Sequence, residues 1–493
     1  MVDKLFQGAA EYIEGYKEVR LLSAHFNNKS IDGGYILDIN KLREIVGINH
    51  VVTDRERIQS YLFDETVVEL RPKPAANVVL IKPGSSQEIS DIIKLANQDK
   101  TPVFIRGGGT GVCGGAVPTK DGLLISMERL NNIIEMDADN LMITVEAGAT
   151  LADILKTADK AGLFFPPHPG DESAQAGGMV ALNAGGTRAV KYGVTRNYVK
   201  GLEVVMPTGE VMNFGGKLLK NNQGFDLLQL MINSSGLLGI ITKVTLRLHP
   251  KPEAAATLVV SYNDRYDAIN SVPKILRSGS MPLTIEYFER DIIEETSKRL
   301  GINWPAQKGT AYLMIILVSN SENDLFTQAE QISKICEDSK CLDVQVADKQ
   351  QQQAEILKLR SDFFSTLRDR TGDTLDITVP PANIGVLLAK VDEIARKYNT
   401  TIPSYGHAGD GNLHSHIMKE LVERGLLRQL KREVYQETLN LGGVITGEHG
   451  IGQIRNKDLD LIPDKKQWEY MFGIKKLFDP NNILNPGVGL PLT

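Results

Sequence analysis

One stretch restricts the fold of this chain more than any other: Val103-Phe-Ile-Arg106 runs straight into six glycines in the nine positions from Gly107 to Gly115. Residues without a Cβ let backbone N–H groups close on a bound anion, and successive N–H groups in such a turn make a nest for phosphate oxygens. The expectation is a nucleotide-phosphate site built from main chain. Gly109-Thr-Gly111-Val-Cys-Gly114 spells G-x-G-x-x-G after a strand, but a Rossmann site must also open a helix whose N-terminus receives the pyrophosphate. Here Ala116-Val-Pro118-Thr-Lys-Asp-Gly122 follows, a turn-forming cluster, and then the strand-like run Leu123 to Met127. That removes the Rossmann reading and leaves either a plain glycine hairpin or a phosphate cradle of another fold.

A second glycine-rich tract lies downstream, Pro166-Pro-His-Pro-Gly-Asp-Glu-Ser-Ala-Gln-Ala-Gly-Gly-Met-Val-Ala-Leu-Asn-Ala-Gly-Gly-Thr-Arg188. Small residues over such a length let an extended ligand lie against the backbone. Between the tracts the chain reads as one α+β unit: strand Val78 to Lys82, a helix through Ile89 to Ala96, strands to Glu146, and a helix from the Thr150/Asp153 capping box to Gly162. A hairpin turn at Thr208-Gly-Glu and a long strand entered at Gly236-Leu-Leu-Gly-Ile-Ile-Thr complete it, and Pro250-Lys-Pro252 closes it. From about Ala255 strands and helices alternate in β-α-β-β-α-β order, which predicts an antiparallel sheet with helices on one face. The Lys349-Gln-Gln-Gln-Gln tract is expected on a helix running to Thr371. Residues 1–40 read as an appended segment with helical spacing at Leu5 to Tyr16.

The 493 residues suffice for two or three domains, and a net charge of −6 offers no basic footprint for nucleic acid. No apolar run approaches the ~20 residues of a membrane span, and no signal-peptide pattern opens the chain, so a cytoplasmic protein is expected. Three cysteines, Cys113, Cys336 and Cys341, cannot supply a cluster's four thiolates.

Histidines are the unevenly placed residues: His407, His414, His416 and His449 fall within 43 positions. Gly406-His-Ala-Gly-Asp-Gly-Asn-Leu-His-Ser-His416 sets His407 before a turn and the other two after it, on one face if that arm is a strand. In Thr446-Gly-Glu-His-Gly450, Glu448 and His449 would point to opposite sides of an extended backbone. Two histidines and a carboxylate form a catalytic zinc-type set with open positions, and the same set would accept iron or manganese. The bland alternative is structural histidines near turns.

The two tracts, the Gly236-Leu-Leu-Gly-Ile-Ile-Thr strand entry and the closing Phe478-Asp-Pro-Asn-Asn-Ile-Leu-Asn-Pro-Gly487 together resemble the vanillyl-alcohol-oxidase-type FAD proteins. More narrowly, they resemble the glycolate oxidase subunit, D-lactate and D-2-hydroxyglutarate dehydrogenase group. The resemblance implies an α+β architecture: a two-part PCMH-type FAD-binding domain over 41–252, a ferredoxin-like antiparallel-sheet substrate or cap domain over 253–455, and a C-terminal segment, 456–493, returning to the FAD domain. It implies pyrophosphate contacts from Arg106, Gly107, Gly108, Gly109, Thr110 and Gly111. Further FAD contacts would come from Pro169, Gly170, Ala174, Gly177, Gly178, Asn183, Gly185, Gly186, Arg188, Gly236, Gly239, Ile240 and Ile241, with Asn485 closing over the flavin side. Thr110 stands where some relatives carry an attaching histidine, so non-covalent FAD is expected. His407, His414 and Glu448 match the family's metal ligands, His449 its general base, and Arg360 its substrate-carboxylate arginine; His416 replaces an asparagine and becomes a further substrate contact or ligand. Thr374 stands in the slot of the hydroxyglutarate enzymes' lysine, which favours D-lactate or glycolate over D-2-hydroxyglutarate.

Rival readings are a reductase on the same flavin fold, or a non-catalytic flavin subunit that only passes electrons; neither needs the His/His/Glu set. The sequence does not name the electron acceptor: an electron-transferring flavoprotein, a separate iron–sulfur subunit, a quinone or a dye-like acceptor would each serve. Homodimer formation is left open by the sequence.

Overall fold

The computed structural model describes residues 38–491, and the helical spacing at Leu5 to Tyr16 lies outside them. A first small sheet holds β1 (Val51–Val52), β2 (Val78–Ile81), β3 (Val103–Arg106) and β4 (Gly122–Ser126) in the order β1-β2-β4-β3. β4 pairs parallel with both β2 and β3. Parallel neighbours require a crossover. Between β2 and β3 it is the helix Ser86–Asp99, capped by the Ser85 hydroxyl, with Ile89, Ile92, Ile93 and Ala96 buried. Between β3 and β4 the glycine tract itself carries the chain back, with no helix, as its sequence predicts.

Seven more strands follow: β5 (Ile133–Asp137), β6 (Met142–Glu146), β7 (Leu163–Phe164), β8 (Val199–Val205), β9 (Val211–Gly215), β10 (Ile240–Arg247) and β11 (His249–Pro250). Five form an antiparallel sheet in the order β5-β6-β10-β8-β9, and β7 pairs with β11. The helix Leu151–Lys160 begins on the full Thr150/Asp153 capping box and ends one residue before Ala161. The two sheets share one apolar core, which also takes Ile483 and Leu484 from the far end of the chain.

A seven-stranded antiparallel sheet comes next, from β12 (Ala254–Tyr262), β13 (Thr284–Glu289), β14 (Ala311–Ser319), β15 (Asp343–Ala347), β16 (Thr371–Thr378), β17 (Ser404–His407) and β18 (Asn412–Met418), in the order β15-β12-β14-β13-β17-β18-β16. The period of two along a strand sorts its side chains. Leu258, Val260, Ile285, Leu313, Ile315, Leu375, Ile377 and Leu413 face the helices Arg265–Leu276, Glu322–Asp338, Ile384–Tyr398 and Leu427–Asn440. On the other face Val259, Phe288, Tyr312 and Met314 pack under Ile292, Ile356, Leu359 and Phe363, so helices cover part of that face too. Where those helices stop, the same face continues as Glu286, Tyr405, His407, His414, His416, Thr374 and Asp376.

The helix expected from Lys349 to Thr371 is broken into Gln350–Ser361 and Phe363–Leu367, and Thr371 already opens β16. Arg299 holds the break, pairing with the Asp362 carboxylate at 2.7 Å and donating to its carbonyl at 3.3 Å. After the last helix, Lys466–Phe478, the chain returns to β3: Val103 N donates to Ile483 O, and Asn485 N to Val103 O, each at 2.8 Å. Among the described residues no helix is long and apolar enough to cross a membrane.

Candidate functional site

The two glycine tracts, the β10 entry and the C-terminal return line one open cleft with a cavity volume of about 310 Å³. Gly107 to Gly111, Pro169, Ala174, Gly177, Gly178, Gly185, Gly236, Gly239, Ile240, Ile241 and Asn485 all reach it. A Cβ on Gly178 would meet no protein atom within 4 Å, and one on Gly111 only Asp64 Oδ2 at 4.0 Å. The smallness of these two residues therefore serves something other than protein packing. Two buried polar atoms on the cleft wall, Asp64 Oδ2 and Gln175 Oε1, have no partner within the protein, as expected where a ligand completes the hydrogen bonding. Neither residue was marked by the sequence: Asp64 lies outside both glycine tracts, and Gln175, inside the second, carries no pattern of its own among the small residues around it. Burial raises the Asp64 carboxyl above its ordinary range.

Several predicted contacts sit behind the cleft instead of in it. The Arg106 guanidinium turns away, donating to Phe63 O at 2.6 Å and lying over Tyr61; it braces Gly109, whose Cβ would collide with it at 2.1 Å. Arg188 lies over Phe164, and Gly186 packs on the His168 carbonyl. Asn183, with φ of 49°, lines a neighbouring cavity and accepts from Arg196 N. Gly170 adopts φ of 88°, the left-handed region open to glycine, at the turn before Asp171.

At the cleft's other wall stand Glu448 and His449. Glu448 Oε1 lies 3.3 Å from both His407 Nε2 and His414 Nε2. Ligands about 2.0–2.1 Å from a tetrahedral metal stand about 3.3 Å apart, so the two distances from Glu448 are those of a metal's ligands, and all three donor atoms lie within 4.8 Å of one another. His414 Nε2 is buried and without a partner. Burial disfavours charge here, yet the carboxylates of Glu286 and Glu448 hold His407 well above its ordinary pKa, while His407 and His414 hold Glu448 well below its own. The site favours positive charge between these groups, which a proton or a metal ion can supply. His407 Nδ1 donates to Glu286 Oε1 at 2.6 Å, fixing the tautomer that leaves Nε2 to the cluster. Gly185 is where cleft and cluster touch: its Cβ would lie 2.7 Å from Glu448 Oε2.

His449 is about four-fifths buried with Nδ1 unpartnered, and burial, with help from His414 and Arg455, pushes its pKa down to about 4. Its ring centre lies 4.9 Å from that of His414. Arg360 binds the other oxygen of Glu286 through Nε at 2.6 Å and rests over Tyr405. The structure does not bring His416 to the cleft. It is fully buried, stacked on Tyr405 at 5.2 Å and paired through Nδ1 with Thr371 Oγ1 at 3.0 Å. Two residues beyond His414 on the same face, it is carried behind Tyr405, away from Glu448. Glu286, which joins Arg360 to His407, was missed by the sequence because it looks like any polar residue in a strand.

Residues 78–215 match the model of a family described as an FAD binding domain, and residues 251–488 that of the FAD linked oxidases, C-terminal domain. The chain is 42% identical over 430 residues to a D-lactate dehydrogenase of Archaeoglobus fulgidus, covering 87% of this chain and 95% of that one. It is 36% identical to a D-lactate dehydrogenase of Anaerostipes hadrus, covering 91% and 96%. It is also 34% identical to the glycolate oxidase subunit GlcD of Bacillus subtilis, covering 83% and 88%. Among solved structures p-cresol methylhydroxylase superposes with a TM-score of 0.76 at 17% identity, covering 94% of this chain and 98% of that chain, a likeness of fold.

Proposed function

This chain belongs to the FAD-linked oxidases that include D-lactate dehydrogenases and glycolate oxidase subunits, and on that premise we propose that it oxidises a short D-2-hydroxy acid, D-lactate or glycolate, to the 2-oxo acid. The observation that carries the proposal is the meeting of the glycine-lined cleft with the His407/His414/Glu448 cluster at Gly185.

When bound, FAD supplies the two-electron acceptor for the hydrogen on the substrate's Cα. The cleft residues named above would hold it without a covalent bond: Thr110 is not an attaching residue, and burial pushes the Cys113 thiol up to about 12, far from a reactive thiolate. A divalent cation held by His407, His414 and Glu448 would supply fixed positive charge beside the substrate's hydroxyl and carboxylate. His449, uncharged at neutral pH, takes the hydroxyl proton. Arg360 has no hydrogen bond on Nη1 among the described residues and holds the carboxylate from that side.

Among the described residues, the positive charges nearest Thr374 are already engaged: Lys431 pairs with Asp373 and Asp458. Thr374 stands opposite His416 in the ladder, and burial drives His416 down to about 3, so it stays neutral. Arg455, which donates to Thr374 O at 2.7 Å, is committed to Cys113 and to Gly450 O as well. A second substrate carboxylate would be left without a partner, which supports the monocarboxylates over D-2-hydroxyglutarate. Electrons then leave to a separate acceptor.

Anaerobic mixing with D- and L-lactate, glycolate and D-2-hydroxyglutarate, followed by flavin absorbance, tests the reading. D-lactate or glycolate is expected to bleach the flavin fastest, and bleaching by D-2-hydroxyglutarate alone would overturn the substrate assignment. His449→Ala is expected to keep FAD and lose most of this reduction.

A further inference from the structure

A second group of possible ligands overlaps the first: Asp376, His414 and His449 offer atoms within 4.8 Å of one another. His414 cannot serve both sets equally, so the use already made of the Asp376 carboxylate decides between them. Asp376 is fully buried at the edge strand β16. Its Oδ2 accepts from three consecutive backbone N–H groups, Gly447 at 2.9 Å, Glu448 at 2.9 Å and His449 at 2.7 Å, and from the Thr446 hydroxyl at 3.0 Å. Its Oδ1 accepts from Asn412 Nδ2 at 2.8 Å. A carboxylate has about four acceptor sites in all, and five donors already converge on this one. Four of the five crowd Oδ2, the oxygen 3.9 Å from His449 Nδ1, so that oxygen is committed to the turn and cannot take a metal ion unless the turn is released; Oδ1, 3.9 Å from His414 Nε2, keeps one acceptor site.

We propose that Asp376 is the positioning residue of the cluster: its carboxylate gathers the Thr446–His449 turn so that Glu448 faces His407 and His414 while His449 faces the cleft. The role rests on the reading of the cluster given above. The backbone supports the same register, since Thr378 and Val444 exchange hydrogen bonds and Gly447 N also reaches Asp376 O at 3.0 Å. A Cβ on Gly447 would lie 2.2 Å from Thr378 Oγ1 and 2.5 Å from Asn412 Nδ2, so the turn lies too close to β16 for a larger residue. The carboxylate is required chemically. An asparagine at 376 would set its NH₂ either against the turn's N–H donors or against the amide of Asn412. Turning Asn412 over to accept would strip its bonds to Ile377 O and Thr378 Oγ1.

The test uses FAD-loaded wild type, Asp376→Asn and Thr446→Val, stripped with a chelator and titrated with Co²⁺. Losing a group that orients a metal ligand weakens metal binding about 10–100-fold. Asp376→Asn is expected to fall in that range, with its FAD content unchanged and the Co²⁺ ligand-field spectrum keeping its two-nitrogen, one-carboxylate signature. Thr446→Val, which keeps the carboxylate and removes one donor, is expected to weaken binding about threefold, the equivalent of half a decade. It carries the test if Asp376→Asn sheds its FAD. Wild-type Co²⁺ affinity in the variant that retains FAD would overturn the proposal, as would a spectrum showing that Asp376→Asn has lost a ligand. Should D-lactate and glycolate fail to bleach the wild-type flavin while the Co²⁺ shifts appear as expected, the substrate reading fails and Asp376 keeps its role.

Discussion

Glu286 shows how much one buried side chain can join. One of its oxygens takes Arg360 through Nε at 2.6 Å and the other takes His407 Nδ1 at 2.6 Å. Burial pushes its carboxyl up, but Arg360 and His407 outweigh that and hold it at about 2. A carboxyl depressed on folding stabilises the native state above its unfolded pKa of about 4.3, and that contribution is lost as the pH falls toward 2. Glu286→Gln leaves a buried guanidinium half-paired, for which the expected cost is about 3–5 kcal/mol near neutral pH by urea denaturation. The difference between wild type and variant should shrink between about pH 4 and pH 2; a constant gap over that range would show that ionised Glu286 is not the source. His407, His414 and Glu448 were legible in sequence because glycine-flanked histidines in a 43-residue span form a pattern. Glu286 had none, and its partners lie 74 and 121 residues away.

Elements were legible to different depths according to how local their causes are. The capping box at Thr150 and the helix after it follow from four adjacent residues, and both are present; Thr150→Ala should cost about 1 kcal/mol in thermal or urea unfolding. The sequence puts His414 and His416 on one face on condition that their arm is a strand, and β18 meets that condition. Distance along that face is a tertiary matter, and it separated the two histidines. The break at Asp362 likewise comes from Arg299 on another helix, which no local propensity reports. The turn after Val444 is held by β16, and Gly447→Ala tests that dependence. The added methyl must displace Thr378 or Asn412, so the expected result is retained FAD with substrate-driven flavin bleaching slowed at least tenfold, about 1.4 kcal/mol or more in the barrier. Bleaching at the wild-type rate would mean that the turn can move without consequence.

At the scale of the whole molecule, the glycine cleft is finished by residues almost four hundred positions away. Lys475 Nζ is buried against Asp479 and the carbonyls of Leu237 and Leu484, and Asp479 accepts from Ile483 N and Leu484 N, which fixes the path into β3. Asn485 then links three segments: its Oδ1 accepts from Ile105 N at 3.0 Å, its Nδ2 donates to Ser235 O at 2.8 Å, and its backbone N–H bonds Val103 O at 2.8 Å. Its φ of 42° is left-handed, a conformation asparagine tolerates better than most residues. The sequence motif marked Asn485 as a flavin-side residue, but not that its side chain is used up in joining β3 to the Ser235–Gly236 turn. Asn485→Ala orphans a buried N–H and a buried carbonyl, each costing about 1–3 kcal/mol, and adds backbone strain. Because both lie on the cleft wall, the loss should appear in FAD retention before global unfolding. Gel filtration of the variant is expected to release flavin, with FAD affinity lowered about tenfold or more by fluorescence titration, while the Co²⁺ affinity of the His407/His414/Glu448 cluster stays within about twofold. Loss of metal with FAD retained would instead show that the C-terminal return supports the cluster and not the cleft.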